Sequence, residues 1–375
     1  MIYLDYSANT PVDARVLEQF CAVERRCIGN ANSHHQAGSA AKAEIDAATI
    51  RIASLLGVQP AEIIYTSGAS EANNFALKGL ARLSRHAGRH IISTPLEHSS
   101  VSGTLTALQE QGYEIDLLDV KQDGTVDLEH LKDLLRPDTI CVAVTLVDSE
   151  LGVVQPVQEI AAILKAYPHC HLHVDATQAV GKIPVSFEGV DTMSLTAHKF
   201  YGLNGIGLLI KRLNLALEPL IHGGESTTIY RSGTPTVALA SSLACALDFA
   251  VTDLPGRVDH VAKLNAELRA ALSTYPLVRI NSPDHAIPHV LNLSVQNVKG
   301  TVFQRELDAK GVCVSVKSAC SSDGLPSRAV FAVSRDRRNA LSSWRISLSH
   351  LTTEDEIKAF LQAFDVCYRE LTAVH

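Results

Sequence analysis

The sequence predicts an α/β fold, a mostly parallel sheet covered by helices on both faces, followed by a smaller α+β unit. Three observations carry this. Between Glu62 and Ile210 short apolar runs alternate with helix-length segments, the pattern of crossover connections rather than hairpins. At 375 residues the chain exceeds the size at which a single core stops growing, so one large and one smaller unit are expected. From Val278 the texture changes to shorter strands and helices. The larger unit is expected at residues 14–255 and the smaller at 1–13 together with 256–375.

Residues 1–13 read as a short strand and turn, stopped by Asn9-Thr10-Pro11, with a helix starting near Asp13. Ala43, Ala47, Ile50 and Leu55 recur at helical spacing, which predicts a helix from Ala40 to Leu56 closed by Gly57. Glu62-Ile63-Ile64-Tyr65-Thr66 is a buried strand, Ser67-Gly68-Ala69-Ser70-Glu71 a tight turn, and Asn73 to Ser84 a helix. Strand, small-residue turn and helix can bind a phosphate, because the unpaired amides of a helix start face an anion. Taken alone, a plain N-cap at Ser70 with Glu71 nearby is the simpler reading.

The alternation continues through strands at His90 to Ser93, Glu114 to Leu118 and Thr139 to Leu146, with helices at Ser99 to Gln111, Leu128 to Leu135 and Val157 to Tyr167. Two further apolar runs end in Asp175 and in His198-Lys199, and Gly205 to Ile210 is another strand. His222 to Pro235 is an exposed small-residue loop, and one long helical region spans Val237 to Ser273. Strands at Val290 to Val295, Val312 to Val316 and Trp344 to Leu348 and helices at Val302 to Lys310 and Thr353 to Leu371 make up the smaller unit.

Hydrophobic content of 46% with 19% charged residues is ordinary for a globular enzyme, and the net charge of −7 argues against a nucleic-acid binder, because a phosphate backbone selects basic surface. The cluster of Arg335, Arg337 and Arg338 reads as a solvated loop. Eight cysteines show no Cys-x-x-Cys pair, so neither a zinc site nor a disulfide framework is expected. Val312-Cys313-Val314 and Ile140-Cys141-Val142 make their cysteines small buried hydrophobes. Cys320 differs, because Lys317-Ser318-Ala319-Cys320-Ser321-Ser322-Asp323-Gly324 would leave a thiol accessible. The chain starts with Ile2-Tyr3-Leu4-Asp5, without a basic and apolar leader, and no apolar run approaches bilayer-spanning length. A soluble cytoplasmic protein is expected.

The chemistry centres on Asp175 and Lys199. An acid and an amine at neighbouring strand ends are what a pyridoxal phosphate enzyme requires: lysine as the Schiff base, aspartate beneath the pyridinium nitrogen. Either residue alone would read as a strand-ending aspartate or a surface lysine.

With these residues in place, the chain resembles the cysteine desulfurases, a branch of the class V aminotransferases on the fold-type I pyridoxal phosphate scaffold. The resemblance runs from Tyr3-Leu4-Asp5-Tyr6-Ser7-Ala8 to Arg345-Ile346-Ser347-Leu348. It rests on Thr66-Ser67-Gly68-Ala69-Ser70-Glu71, Glu97-His98, His173-Val174-Asp175-Ala176-Thr177-Gln178, His198-Lys199, Arg231-Ser232-Gly233-Thr234 and Ser318-Ala319-Cys320. It implies a seven-stranded sheet in the large unit, with Lys199 as the Schiff-base lysine and proton shuttle, Asp175 at the ring nitrogen and His98 stacked on the ring with a part in proton transfer. Gln178 would meet the ring oxygen. Ala69, Ser70, Thr196 and His198 would hold the phosphate, with Thr234 reaching in from the partner subunit of a homodimer. Arg345 would hold the substrate carboxylate bidentately, with Asn30 and Ser149 beside the substrate and Ser149 also at the cofactor. Cys320 would take sulfur from L-cysteine as a persulfide, on a loop that must move between cofactor and an acceptor protein, such as one in iron-sulfur cluster assembly.

Four departures from the family pattern stand out. Asp148-Ser149-Glu150 replaces a paired Asn before Glu, and Glu225-Ser226-Thr227 follows Gly223-Gly224. Gly29-Asn30-Ala31 replaces Gly-Asn-Pro and lies one residue closer to His35, and His289 stands where Asn follows the proline. They suggest a specialised member. Three competing readings are a selenocysteine lyase, another carbon-sulfur lyase or transaminase of the same group, and a non-catalytic paralogue that binds partners.

Overall fold

The computed structural model describes residues 1–317 and 325–373. Its first half runs β1 (Ile2–Tyr3), α1 (Ala14–Arg26), α2 (Gln36–Leu56), β2 (Ile63–Thr66), α3 (Ala69–Leu83), β3 (His90–Ser93), α4 (Ser99–Gln109), β4 (Glu114–Leu117), α5 (Leu128–Leu134), β5 (Thr139–Thr145), α6 (Val157–Leu164) and β6 (His171–Asp175). Then come β7 (Thr192–Thr196), β8 (Gly207–Lys211), α7 (Val237–Thr252), α8 (Leu254–Leu272), β9 (Val278–Ile280), β10 (Val290–Val295) and α9 (Gly300–Ala309). The chain closes with β11 (Val312–Cys313), α10 (Arg328–Ser334), α11 (Arg337–Ser342), β12 (Ser343–Ser347) and α12 (Glu354–Thr372).

Among the described residues the central sheet has seven strands in the order β2-β8-β7-β6-β5-β3-β4. Only β8 runs against its neighbours, so the sheet is mostly parallel as expected. Strand β5 is buried throughout, as a strand covered on both faces must be. Val142 and Val144 pack among residues of α2, α6 and α7, while Cys141 and Ala143 pack among those of α3 and α4. The carboxyl ends of β5, β6 and β7 therefore open on one crevice, the usual ligand position in such sheets.

A second core lies against the antiparallel sheet β12-β10-β9. Trp344 stacks on Phe303 with ring centroids 5.2 Å apart, and Phe360 and Phe364 complete the aromatic layer. Leu4 belongs to this core, and β1 pairs in parallel with β11. Residues 2–4 thus join the C-terminal sheets, while Ser7 and Ala8 reach the crevice of the large one.

Three local expectations are corrected. The helical region from Val237 breaks at Asp253 into two helices bent by 64°, because Pro255 cannot supply the amide that a continuous helix would need. Helix α2 starts four residues early because His35, outside the usual capping types, accepts from the Gly38 amide through Nδ1 at 3.1 Å. Cys141 is buried, whereas Cys313 is half-buried, since β11 has a partner strand on one side only.

Candidate active site

A cavity of about 350 Å³ opens at the carboxyl ends of β5, β6 and β7. At one end is the turn from β2 into α3. The expected N-cap at Ser70 is corrected here: Gly68 caps the helix, at φ +153° and with no side-chain bond to the first turn. Glu71, which also lines the cavity, is engaged locally, accepting from the Ser67 amide at 2.7 Å and from Arg231 Nε at 3.0 Å. The amides of Ala69 and Ser70 are thus left to the cavity, at the positive end of the helix dipole. The turn lies hard against β8. A Cβ on Gly207 would fall 2.7 Å from Gly68 Cα and 2.6 Å from the Leu195 carbonyl, so only glycine fits. Thr196 and His198 complete this end. Thr196 Oγ1 lies 3.0 Å from His198 Nδ1, and burial, helped by Lys199 and Lys182, brings His198 down to about 4, so it is neutral at pH 7.

In the cavity lining, Asp175 ends β6 with both carboxylate oxygens engaged. Oδ1 accepts from the Thr177 amide at 2.9 Å and Oδ2 from Asn73 Nδ2 at 2.8 Å. Asn73 is fully buried on α3, and its Oδ1 accepts from His173 Nε2 at 3.0 Å and from the Ser194 hydroxyl. Since Asn73 offers His173 an oxygen, the imidazole carries its proton on Nε2 and accepts from Thr192 Oγ1 at Nδ1, 2.9 Å away. Burial holds His173 down to about 4, so this chain of bonds is uncharged up to Asp175. Sequence reasoning missed Asn73. The signal was available: position 73 lies on the stripe with Ala76, Leu77 and Leu80, where a polar side chain is buried and needs partners.

His98, also in the lining, caps α4, its Nδ1 accepting from the Ser100 amide at 3.1 Å. That bond fixes the ring and leaves Nε2 as the protonated nitrogen of the neutral form, which burial favours. Gln178 gives Nε2 to the Ser7 carbonyl at 2.9 Å, and its Oε1 accepts from Lys182 Nζ at 2.6 Å.

Lys199 ends a single 3-10 turn, Ala197–Lys199, after β7. Its Nζ donates to the carbonyls of Ser7 at 2.7 Å and Ala8 at 2.6 Å. Thr10 clasps the same turn, its amide and hydroxyl donating to the His198 carbonyl. Arg345 reaches the cavity from β12 and is 1% exposed. Its Nη1 donates to the Ser149 carbonyl at 2.7 Å and its Nη2 to Asp5 Oδ1 at 3.0 Å, while Nε is buried without a partner among the described residues. Ser149 therefore meets Arg345 through its main chain. Asp148 beside it is pushed up to about 7, first by burial and then by Glu150.

Ten expected site residues line this cavity: Ala69, Ser70, His98, Ser149, Asp175, Gln178, Thr196, His198, Lys199 and Arg345. Two expected residues lie elsewhere. Asn30 is exposed between α1 and α2, and Thr234 is exposed in the loop that holds Ser226. The two loops touch, with Asn32 Nδ2 3.5 Å from Ser226 Oγ. Cys320 lies outside the described residues. Among the described residues no cluster of His, Cys, Asp and Glu could hold a metal ion.

The residues present fit pyridoxal phosphate: free amides for its phosphate, a carboxylate for its ring nitrogen, an amide donor for its ring oxygen and an amine for its aldehyde. The aminotransferase class-V family model matches residues 2–360. Cysteine desulfurase IscS of Proteus mirabilis is 39% identical over 365 residues, covering 95% of this chain and 90% of the relative. The protein of the same name from Dictyoglomus turgidum is 35% identical over 378 residues, covering 100% and 96%. A solved NifS-like protein superposes with a TM-score of 0.92 at 35% identity, covering 99% of each chain. Full-length likeness in sequence, fold and family model together place the chain in the aminotransferase class-V family, as a member of its cysteine desulfurase branch.

Proposed function

We propose that the chain is a pyridoxal phosphate-dependent cysteine desulfurase that converts L-cysteine to L-alanine and delivers the sulfur to an acceptor through a persulfide on Cys320. One observation carries this reading: the lining of a single cavity includes an amine, Lys199, a buried acid, Asp175, and a buried guanidinium, Arg345.

The bound cofactor supplies an electron sink, drawing charge from the bonds of an attached amino acid. Asp175 holds a proton on the ring nitrogen, and the donors from Asn73 and Thr177 fix the carboxylate in place for that task. Arg345 orients the substrate through its carboxylate, using the Nη N–H groups that Asp5 and Ser149 leave free. Lys199 moves protons at the substrate's carbons, and His98 covers the ring. The Cβ–S bond breaks as the Cys320 thiolate takes the sulfur. L-cysteine and one thiol give L-alanine and one persulfide, and the atoms balance without an oxidant. Thr234, outside the cavity of its own chain, is assigned to the phosphate of a second copy, so light scattering should find twice 40.4 kDa.

The test is to incubate the holoenzyme with L-cysteine and dithiothreitol and to measure alanine and sulfide together. Equal amounts are expected, and Cys320→Ala should abolish the sulfide. Alanine without sulfide, or neither product, overturns the reading.

A further inference from the structure

A second lysine lies behind the site with no part in the chemistry above. The segment after β6 turns at Gly181, φ +75°, where a Cβ would fall 3.0 Å from Phe200 Cβ. Glycine alone suits that turn, and the next residue, Lys182, is only 6% exposed. Its Nζ ends 2.6 Å from Gln178 Oε1, four residues back.

Lys182 lines a small space of about 10 Å³ that it shares with Lys199, Arg257, His289 and His350. No carboxylate lines this space among the described residues. Burial, with Lys199 and Arg345 nearby, accordingly brings Lys182 down to about 7. His289 is 5% exposed there, and its Nδ1 has no partner among the described residues. The closest bond of this buried lysine therefore goes to a neutral amide oxygen, which makes it an expensive way to stabilise a fold.

What the bond does follows from the two-sided nature of an amide. Gln178 lines the main cavity, and its Nε2 has two hydrogens, one given to the Ser7 carbonyl. With Oε1 committed to Lys182, the second N–H is left for the cavity. Turned over, the side chain would set its nitrogen against the Lys182 donor and its oxygen both against the Ser7 carbonyl and toward the cofactor's electron-rich ring oxygen, so Lys182 holds the oxygen end of an amide whose nitrogen end Ser7 holds. We propose that Lys182 is a positioning residue: by occupying Gln178 Oε1, it makes Gln178 present an N–H, not a carbonyl, to the cofactor's ring oxygen. This rests on the pyridoxal phosphate reading above and adds a residue to it.

The test is a double-mutant cycle on the holoenzyme, using Lys182→Met, Gln178→Ala and the pair. The readouts are the Kd for pyridoxal phosphate, the visible absorbance maximum with its pH midpoint, and the urea midpoint of each apoprotein. Lys182→Met should weaken binding about 10-fold and shift the absorbance or its pH midpoint. In the Gln178→Ala background the same change should matter less than about 2-fold, because both act through one contact. Additive losses, or a parent-like Kd and spectrum in Lys182→Met, overturn the proposal. Should Lys182→Met not fold, Gln178→Glu decides: it keeps an acceptor for Lys182 but has no N–H, and parent-like binding by that variant overturns the proposal. A parent protein that binds no pyridoxal phosphate overturns the functional reading itself, a distinguishable result.

Discussion

Asn73 shows how much of the site depends on a residue with no charge and no chemistry of its own. Its side chain satisfies Asp175, His173 and Ser194 together, so Asn73→Leu strands three buried polar groups. At about 1–3 kcal/mol for each group left unpaired, and with partial relaxation, we expect a loss of about 3 kcal/mol in urea unfolding and weaker cofactor binding. An unfolding curve within 1 kcal/mol of the parent would refute the network. Arg345→Lys keeps the charge but loses the planar fork, so KM for L-cysteine should rise at least about 10-fold with a smaller change in kcat. Equal losses in kcat alone would remove Arg345 from substrate binding. At this scale Asp175 and Lys199 were legible as a pair at two strand ends, whereas Arg345 came only with the family resemblance. Asn73 hid in a helical stripe. The Ser7, Ala8 and Ser149 carbonyls could not be read at all, since a backbone group carries no letter.

Among the elements, the turn from β2 to α3 is decisive, and its fit against β8 is tight. Gly207→Ala would drive a methyl group into Gly68 and the Leu195 carbonyl. Overpacking of this kind costs about 1–3 kcal/mol, and here the yielding part is the phosphate end of the cavity. We expect the affinity for pyridoxal phosphate to fall by at least 10-fold, more than the apoprotein melting temperature would suggest. Unchanged affinity would show that the turn accommodates the methyl. The sequence announced this turn as a phosphate candidate but set the cap two residues late, at Ser70, because capping rules favour hydroxyls over glycine. Sheet order was likewise beyond reach: periodicity marks strands, whereas adjacency depends on packing across the whole chain.

For the molecule as a whole, the titration of buried groups sets a direction for stability. Burial holds His173, His198 and His350 at about 4 and His289 at about 3, below the ordinary 6.5. The unfolded chain therefore binds more protons at these four between those values, and stability is lost as pH falls below 6.5. Glu97, pushed up to about 8, and Asp148, up to about 7, act oppositely, losing stability as pH rises through those values. Burial also holds His90 and His98 down and pushes Glu150 up, so with six histidines against three acids the urea midpoint of the apoprotein should drop between pH 6.5 and 4.5, and His289→Asn should flatten that drop. A midpoint that holds or rises on acidification would sink the assignment.

Strand β1 has a further consequence, in time rather than in space. Its partner is Val312–Cys313, and the carbonyls just beyond it receive Lys199 while Asp5 receives Arg345. Residues 2–8 must therefore wait for β11 and β12 before they can settle. A nascent chain stopped before β11 has no partner for β1, and one stopped before β12 still lacks Arg345, so the site closes only once β12 has been made.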